Sequence, residues 1–215
     1  MPLGAYWPTR RLRRAVQILI GAHVLVSLIQ TISFQVLNDA FLAYPDPLLL
    51  ALLDPDSFLR ALNAEDVFIF AGIVQIGVFI ACGICFLCWL HRSYANLARL
   101  TAPSSEVVGW LIPIYNLVHG YRSTRRLYLE NQRPVVPPRG YVLPPRAAIV
   151  GWWWSFCLLT LAIATASVVL RLKGGGQLWA FTASDLVAAV LCMTVVQRID
   201  RRQREQLPVP SGSSP

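Results

Sequence analysis

Charge is scarce in this sequence, and lysine is almost missing from it. Only 14% of the 215 residues are charged, whereas a soluble domain carries about 25%. Apolar residues make up 55% of the chain, which is more than a soluble core of this size can bury. The shortage of charge therefore excludes an ordinary cytosolic enzyme, a disordered protein and a disulfide-rich secreted module. It predicts an integral membrane protein.

Lys173 is the only lysine beside 18 arginines, a skew that is typical of bacterial genomes rich in GC. The net charge of +8 suggests nucleic acid, but the arginines adjoin apolar stretches and do not form one stripe with exposed aromatics. The sequence also lacks a Gly-rich phosphate loop, a nucleophile elbow and a carboxylate pair in a soluble stretch. We expect no nucleic-acid partner, no catalytic residues, no cofactor and no metal, and an enzyme is the less favoured interpretation.

Four apolar stretches are long enough to cross a bilayer core of about 30 Å. The first is interpreted as a retained helix, because a signal peptide has a shorter apolar run and a cleavage site after it. The four spans are 15–37, 67–90, 147–170 and 177–197, within a transmembrane domain at 15–200. A basic segment at 1–14 precedes this domain, and a tail at 201–215 follows it, with disorder expected from residue 206.

Charge in the connecting segments predicts the orientation. Residues 38–66 carry six acidic residues against Arg60 alone, which indicates an acidic outer loop. Residues 91–146 carry eight arginines against two glutamates, and four more arginines follow the last span. The acidic loop outside and the arginines inside predict that both termini are cytoplasmic and that the protein lies in the plasma membrane of a bacterium. The short outer turn with Arg171 and Lys173 is the one segment that does not fit this orientation.

A shorter apolar segment at 107–118 has arginines on both sides. Twelve residues cannot cross, so 107–130 is predicted as a re-entrant or interfacial segment on the cytoplasmic side. After Pro113 the apolar residues recur at helical spacing and the basic residues fall on another arc, which is typical of an amphipathic helix on a membrane surface. The apolar arc is Ile114, Leu117, Val118, Tyr121 and Tyr128. The fold class is thus an all-α membrane protein with four spans and this short helix. Its basic arc, expected to contact lipid headgroups, is Arg122, Arg125 and Arg126.

Three runs of sequence, at 86–97, 109–117 and 151–154, resemble the DUF4328 family of bacterial membrane proteins. The resemblance covers about residues 66–200 in order and spacing. This family has no known function, so the resemblance implies a topology and no mechanism. Where the family often has a proline before an aromatic residue, this chain has Gly120. By resemblance the family motif falls on Trp89, Leu90, Tyr94, Asn96, Leu97, Pro113, Asn116, Leu117 and Tyr121.

Two features of these runs have both a structural and a ligand-binding interpretation. Asn96 and Asn116 lie near the predicted inner boundary, where an amide caps open backbone or contacts a ligand. The three tryptophans at 152–154 anchor a helix end at the interface or form a flat wall for a lipid. Structural capping and anchoring are the favoured interpretations.

Two ionisable side chains lie inside the spans, where each costs about 2.5–3.5 kcal/mol and suggests a function. His23 and Asp185 fall about 13–14 Å in from opposite faces of the bilayer core, since the first span runs outward and the fourth runs inward. Gln75 lies in the same layer, and Ser27 follows His23 on one helix face. We expect a mid-membrane polar layer of these four residues. It is a polar clasp between helices, a proton or cation site, or an Asp185 that reaches a water-filled notch.

Cys82, Cys85 and Cys88 have a spacing that resembles a cluster motif, but they lie inside a span and no fourth thiol is near in sequence. Packing is the favoured interpretation, with palmitoylation of Cys88 or metal binding as alternatives.

Two functions from different classes follow. The first is a non-catalytic membrane protein that binds lipid or a partner protein, including a second copy of itself, at a basic, Trp-rich cytoplasmic face. The alternative is a small transporter or membrane enzyme that uses the polar layer of His23, Gln75 and Asp185. The first is favoured, because the sequence has no inverted repeat and no broken pair of spans in matching positions.

Overall fold

The structure is a computed structural model, and it describes residues 9–43, 46–97, 103–132, 147–169 and 175–205. Within these ranges the chain is almost entirely α-helical and has no strand. The start of the predicted basic segment at 1–8, the turn with Arg171 and Lys173, and the predicted disordered tail at 206–215 lie outside the described residues.

Seven helices account for the described part of the chain. They are α1 Arg10–Ala43, α2 Pro47–Leu53, α3 Pro55–Ala95, α4 Pro103–Leu111, α5 Pro113–Gln132, α6 Ala148–Val169 and α7 Gly175–Glu205. Four of them, α1, α3, α6 and α7, are long and apolar enough to cross a membrane. The prediction of an all-α protein with four membrane-crossing helices is therefore confirmed.

The crossing helices α1 and α3 extend well beyond the apolar stretches that predicted them. α1 has 34 residues and α3 has 41, which at 1.5 Å per residue gives about 51 and 61 Å. A bilayer core needs only about 30 Å. Backbone hydrogen bonds continue through polar residues, so a helix does not end where hydrophobicity ends. The predicted loop at 38–66 is consequently almost all helix, formed by the end of α1, α2 and the start of α3.

Two aspartates set where α2 and α3 begin. Asp46 accepts a hydrogen bond from the Leu48 N–H at 2.9 Å, and Asp54 accepts one from the Ser57 N–H at 3.0 Å. A proline follows each aspartate, at a position where the missing N–H leaves no bond unmade. Hydrogen bonds from Ser57 lower the pKa of the Asp54 carboxyl, so this cap stays ionised at neutral pH.

Large apolar side chains cover the outside of the crossing helices. On α3, Ile73 and Phe79 are 65% and 66% exposed, and Phe70 is 68% exposed. Apolar surface costs about 25 cal/mol per Å² in water, and a contiguous exposed patch of this kind marks a contact surface. Exposed apolar surface of this kind is what helices long and apolar enough to cross a membrane present to lipid.

The described residues form two compact units. One unit combines the described residues within 1–17, 83–155 and 190–215, and it contains α4 and α5 with parts of the four crossing helices. The other combines residues 18–82 and 156–189, and it contains α2 with the remaining parts of those helices. The unit that contains α4 and α5 is called the motif unit below, since it holds every residue of the family motif. The other is called the polar-layer unit.

Inside the motif unit, aromatic rings join three helices. The ring of Phe86 on α3 lies 5.2 Å from that of Trp110 on α4 and 6.0 Å from that of Trp153 on α6. α4 and α5 fold back on each other at Ile112, and the His119 ring fills the space beside Gly109. The predicted segment 107–130 is therefore two helices in contact.

Candidate functional site

The four predicted residues of the polar layer meet in the polar-layer unit. α1 supplies His23 and Ser27, α3 supplies Gln75 and α7 supplies Asp185. The His23 Nε2 lies 3.1 Å from the Asp185 Oδ2, and the Ser27 Oγ lies 3.4 Å from the same oxygen. The Gln75 Nε2 lies 2.7 Å from the His23 Nδ1 and 2.9 Å from the Ser27 Oγ. The four residues that helix rise places at one depth are thus in contact in the structure.

These contacts are compatible with one neutral tautomer of His23. With the Gln75 amide nitrogen donating to Nδ1, the ring proton of that tautomer is on Nε2. That N–H points at the Asp185 carboxylate. The Gln75 Oε1 is buried and makes no hydrogen bond within the described residues. Rotation of the amide by half a turn would offer this oxygen to a protonated Nδ1, so the cluster has the groups to hold one more proton.

Hydroxyl groups continue the polar layer along the helices. The Thr31 and Thr182 hydroxyls lie 2.6 Å apart, and those of Thr160 and Ser184 lie 2.8 Å apart. Thr182 and Ser184 precede Asp185 on α7 by three residues and by one residue. The sequence interpretation did not include Thr31, although it follows Ser27 by four residues and so lies on the same face of α1.

The first half of the family motif is largely buried within the motif unit. Trp89 and Leu90 are fully buried, and Tyr94 and Leu97 are nearly so. The Tyr94 hydroxyl donates to the Ser123 carbonyl oxygen at 2.6 Å, and the Asn96 amide donates to the Gln203 side chain at 3.4 Å. These contacts join the end of α3 to α5 and α7. The backbone capping expected of Asn96 and Asn116 stays a prediction, since the Asn96 bond is to a side chain and the buried Asn116 Oδ1 makes no hydrogen bond within the described residues.

The second half of the motif forms the turn between α4 and α5. Pro113 begins α5, and the Asn116 N–H donates to the Ile112 carbonyl oxygen. The Leu117 carbonyl oxygen accepts a hydrogen bond from the Trp154 indole at 2.8 Å, while the Leu117 side chain is exposed. Tyr121 is half-buried. The motif therefore positions this turn against the start of α6.

The three consecutive tryptophans have three different environments. Trp152 is 63% exposed, Trp153 is 5% exposed and Trp154 is half-buried with its indole bonded to Leu117. Consecutive residues of a helix point about 100° apart, so the run does not form one flat wall. Only Trp152 faces outward.

α5 has two faces of opposite character. Arg122, Arg125 and Arg126 are exposed on one face. The other face is buried through Ser123, Thr124, Leu127, Tyr128 and Asn131, and the Trp110 indole donates to the Ser123 hydroxyl at 3.1 Å. Tyr128, assigned to an apolar arc by its spacing, belongs to the buried face. The exposed apolar side chains lie instead at the turn, at Leu111, Ile112, Tyr115, Leu117 and Val118.

A buried charge cluster near the end of α7 was not predicted. Asp200 is fully buried and accepts a hydrogen bond from the Thr9 hydroxyl. Its Oδ2 lies 3.2 Å from the Arg13 Nε and 3.1 Å from an Arg204 nitrogen. The sequence places Arg13 and Asp200 187 positions apart, and no local spacing signals this pairing. The cluster fastens the start of α1 to the end of α7.

The three cysteines for which a packing role was predicted differ in how far they are buried. Cys82 and Cys85 are half-buried, whereas Cys88 is exposed. No group of three His, Cys, Asp or Glu side chains in the described ranges has a geometry that could hold a metal ion.

Comparison with known proteins gives one family. The family model for DUF4328, described as a domain of unknown function, matches residues 56–201. This range includes α4, α5 and the family motif, and it begins after His23 and Ser27. Neither the curated proteins nor the solved structures gave a match.

Proposed function

The chain belongs to the DUF4328 family, and we propose that it is a non-catalytic multi-pass membrane protein that binds anionic lipid at a basic face beside exposed apolar residues. This face consists of the exposed arginines of α5 and the exposed apolar turn between α4 and α5. We further propose that the protein lies in the plasma membrane of a bacterium, with this face and both termini in the cytoplasm. A partner protein is the alternative occupant of the same face.

The observation that carries the proposal is the distribution of side chains on α5. One face of α5 is buried against the rest of the motif unit. Arg122, Arg125 and Arg126 are therefore held on the opposite, exposed face. Next to them, Ile112, Tyr115 and Val118 expose half or more of their surface. An arc of arginine beside exposed apolar residues is the pattern of a helix that lies in a membrane interface.

The energies of the two parts are sufficient for lipid binding. Each arginine near an anionic leaflet contributes about 1 kcal/mol, so three contribute about 3 kcal/mol. The exposed apolar turn adds its own transfer energy, at about 25 cal/mol for each Å² that it buries in the acyl boundary. The match to the family model includes all of these residues.

The test replaces Arg122, Arg125 and Arg126 with glutamine in one variant. A matched control replaces the exposed Arg10, Arg11 and Arg14 on α1, which removes the same charge from another position. Native mass spectrometry of the detergent-solubilised proteins titrated with phosphatidylglycerol measures the affinity. We expect at least a tenfold loss for the α5 variant and a smaller loss for the control.

Equal losses in the two variants would attribute binding to net charge and contradict the proposal. Unchanged lipid affinity, combined with the loss of a co-purified protein from the α5 variant, would replace lipid by a protein partner. Since exposed charges are screened by salt, the affinity of the unmodified protein is also expected to fall as ionic strength rises.

The contact between His23 and Asp185 favours a second candidate function, a small transporter or membrane enzyme that moves protons through the polar layer. Three helices contribute to this network, and a His–Asp pair in a membrane interior is a common element of proton relays. The unpartnered Gln75 oxygen supplies the acceptor that a second proton on His23 would need.

The second candidate is tested in vesicles of phosphatidylglycerol and phosphatidylcholine that contain a pH-sensitive dye. With an imposed pH gradient, the unmodified protein should dissipate the gradient faster than empty vesicles. Asp185→Asn and His23→Ala should each abolish the excess rate, while Asp66→Asn, an exposed acid on α3, should retain it. A rate equal to that of empty vesicles, or an unchanged rate in both polar-layer variants, would exclude proton transport.

A further inference from the structure

A cavity of 330 Å³ lies in the motif unit between the end of α5 and the end of α7. α5 contributes Tyr128 and Asn131 to its wall. α7 contributes three arginines and one glutamate, which are Arg198, Arg201, Arg202 and Glu205. The wall therefore carries three positive charges and one negative charge.

Tyr128 and Arg198 form a fixed donor group in this wall. Tyr128 is nearly fully buried, and its hydroxyl oxygen accepts a hydrogen bond from the Arg198 guanidinium at 3.3 Å. The phenolic proton is thereby left to donate elsewhere. A guanidinium has five donors in a planar fork, so Arg198 can bind Tyr128 and an oxyanion together.

Glu205 already shows how this wall binds an anion. Its Oε1 lies 2.8 Å from the Arg201 Nε, and its Oε2 lies 3.1 Å from an Arg202 nitrogen. All three side chains are well exposed, so this ion pair is weak and easily exchanged. A phosphate group, with more charge and three or four oxygens, would compete with the carboxylate for the same two arginines.

The position of the cavity along α7 indicates which anions reach it. The apolar run of this helix ends at about residue 197, and Arg198 is the next residue. A residue directly after a membrane-spanning run lies at the level of the lipid headgroups. The arginines of the cavity are therefore at the depth of lipid phosphates and also open to phosphates in solution.

We propose that this cavity is a phosphate-binding site, with Arg198 and Tyr128 as its fixed donors and with Glu205 as a competing internal anion. This second proposal rests on the proposed function, because the cavity would give the lipid-binding face one saturable headgroup site. That site would act in addition to the general attraction of the α5 arginines. The ligand is a phosphate group, carried by an anionic lipid or by a soluble phosphate ester.

The experiment measures binding of three probes by isothermal titration calorimetry of the full chain in a neutral detergent. The probes are dihexanoyl phosphatidylglycerol, dihexanoyl phosphatidylcholine and glycerol 3-phosphate. Arg198→Gln should weaken binding of the recognised probe about tenfold, and Tyr128→Phe by a smaller factor. Glu205→Gln should strengthen it about threefold, because the internal competitor loses its charge. Arg11→Gln, an exposed arginine on α1, is the charge-matched control and should change binding less than twofold.

A gain of affinity in Glu205→Gln separates this proposal from misfolding, since a damaged protein does not bind more tightly. One-site binding of phosphatidylglycerol without binding of glycerol 3-phosphate would identify a lipid ligand, and the reverse result would identify a soluble ester. Unchanged affinity in Arg198→Gln, or weaker binding in Glu205→Gln, would overturn the site.

The failure of this site and the failure of the proposed function give different results. If the α5 triple variant loses lipid while Arg198→Gln does not, the basic face stands and the cavity is not a site. If Arg198→Gln loses one bound phosphate while the α5 triple variant keeps its lipid affinity, the cavity binds independently and the proposed basic face is wrong.

Discussion

At the scale of single residues, Gly120 explains how α5 and α6 come so close. A Cβ at this position would lie 2.5 Å from the Trp154 ring and 2.6 Å from the Asn116 Oδ1. Real Cβ atoms do not come this close to another atom, so only glycine fits.

Gly120→Ala should lower the free energy of unfolding by about 1–3 kcal/mol, the cost of overpacking a filled site. Gly151→Ala is the matched control, because nothing lies within 4 Å of a Cβ there and alanine favours the helix. Thermal unfolding in detergent, followed by tryptophan fluorescence, measures both. Equal midpoints for the two variants would show that the indole moves freely and would contradict the close packing.

The depth of a residue along a helix is the part of a contact that the sequence predicts. His23, Gln75 and Asp185 were predicted to share a layer because helix rise converts residue number into depth. The rotation of each helix about its axis decides which side chains touch, and that depends on packing. Asp200 and Arg13 were therefore missed, since both lie near helix ends where charge is expected and neither interrupts an apolar run.

At the scale of elements, the Asp200 cluster joins the start of α1 to the end of α7. Asp200→Asn should lower the free energy of unfolding by about 1–3 kcal/mol, because the half-buried Arg13 loses its counter-charge and the charge-assisted bonds to Asp200 are weakened. Asp66→Asn removes an exposed acid of α3 and should leave stability unchanged within error. Unfolding in a denaturing detergent titration compares them. A midpoint for Asp200→Asn equal to that of Asp66→Asn would show that the pairing contributes nothing.

The elements themselves were predictable to different degrees. Hydropathy identified the four crossing helices, and Pro113 marked the break between α4 and α5. The extents of α1 and α3 were underestimated, because apolar content marks the part of a helix in lipid and does not mark its ends. The faces of α5 were assigned only in part, since Tyr128 has an aromatic ring that suits a membrane surface and a core equally.

In the whole molecule, charged residues are few because they are concentrated outside the apolar parts of the crossing helices. Acidic residues collect in the segment that joins the first two crossing helices, and arginines collect in α5 and at the end of α7. Asp185 is the exception inside a span, and it is met by His23 and Ser27. We propose that the α4–α5 turn enters the lipid interface, with the arginines of α5 at the headgroups.

The most direct test of that claim is a spin-label accessibility scan in bilayers that contain phosphatidylglycerol. Labels are placed one at a time at Tyr115, Val118, Arg122 and Arg125, in a protein whose five cysteines are replaced by alanine. We predict that labels at Tyr115 and Val118 collide mainly with dissolved oxygen, as in acyl chains, and that labels at Arg122 and Arg125 collide equally with oxygen and a water-soluble nickel chelate. Nickel accessibility at Tyr115 and Val118 as high as that of a label at the exposed Asp56 would show that the α4–α5 turn lies in water and does not enter the lipid interface.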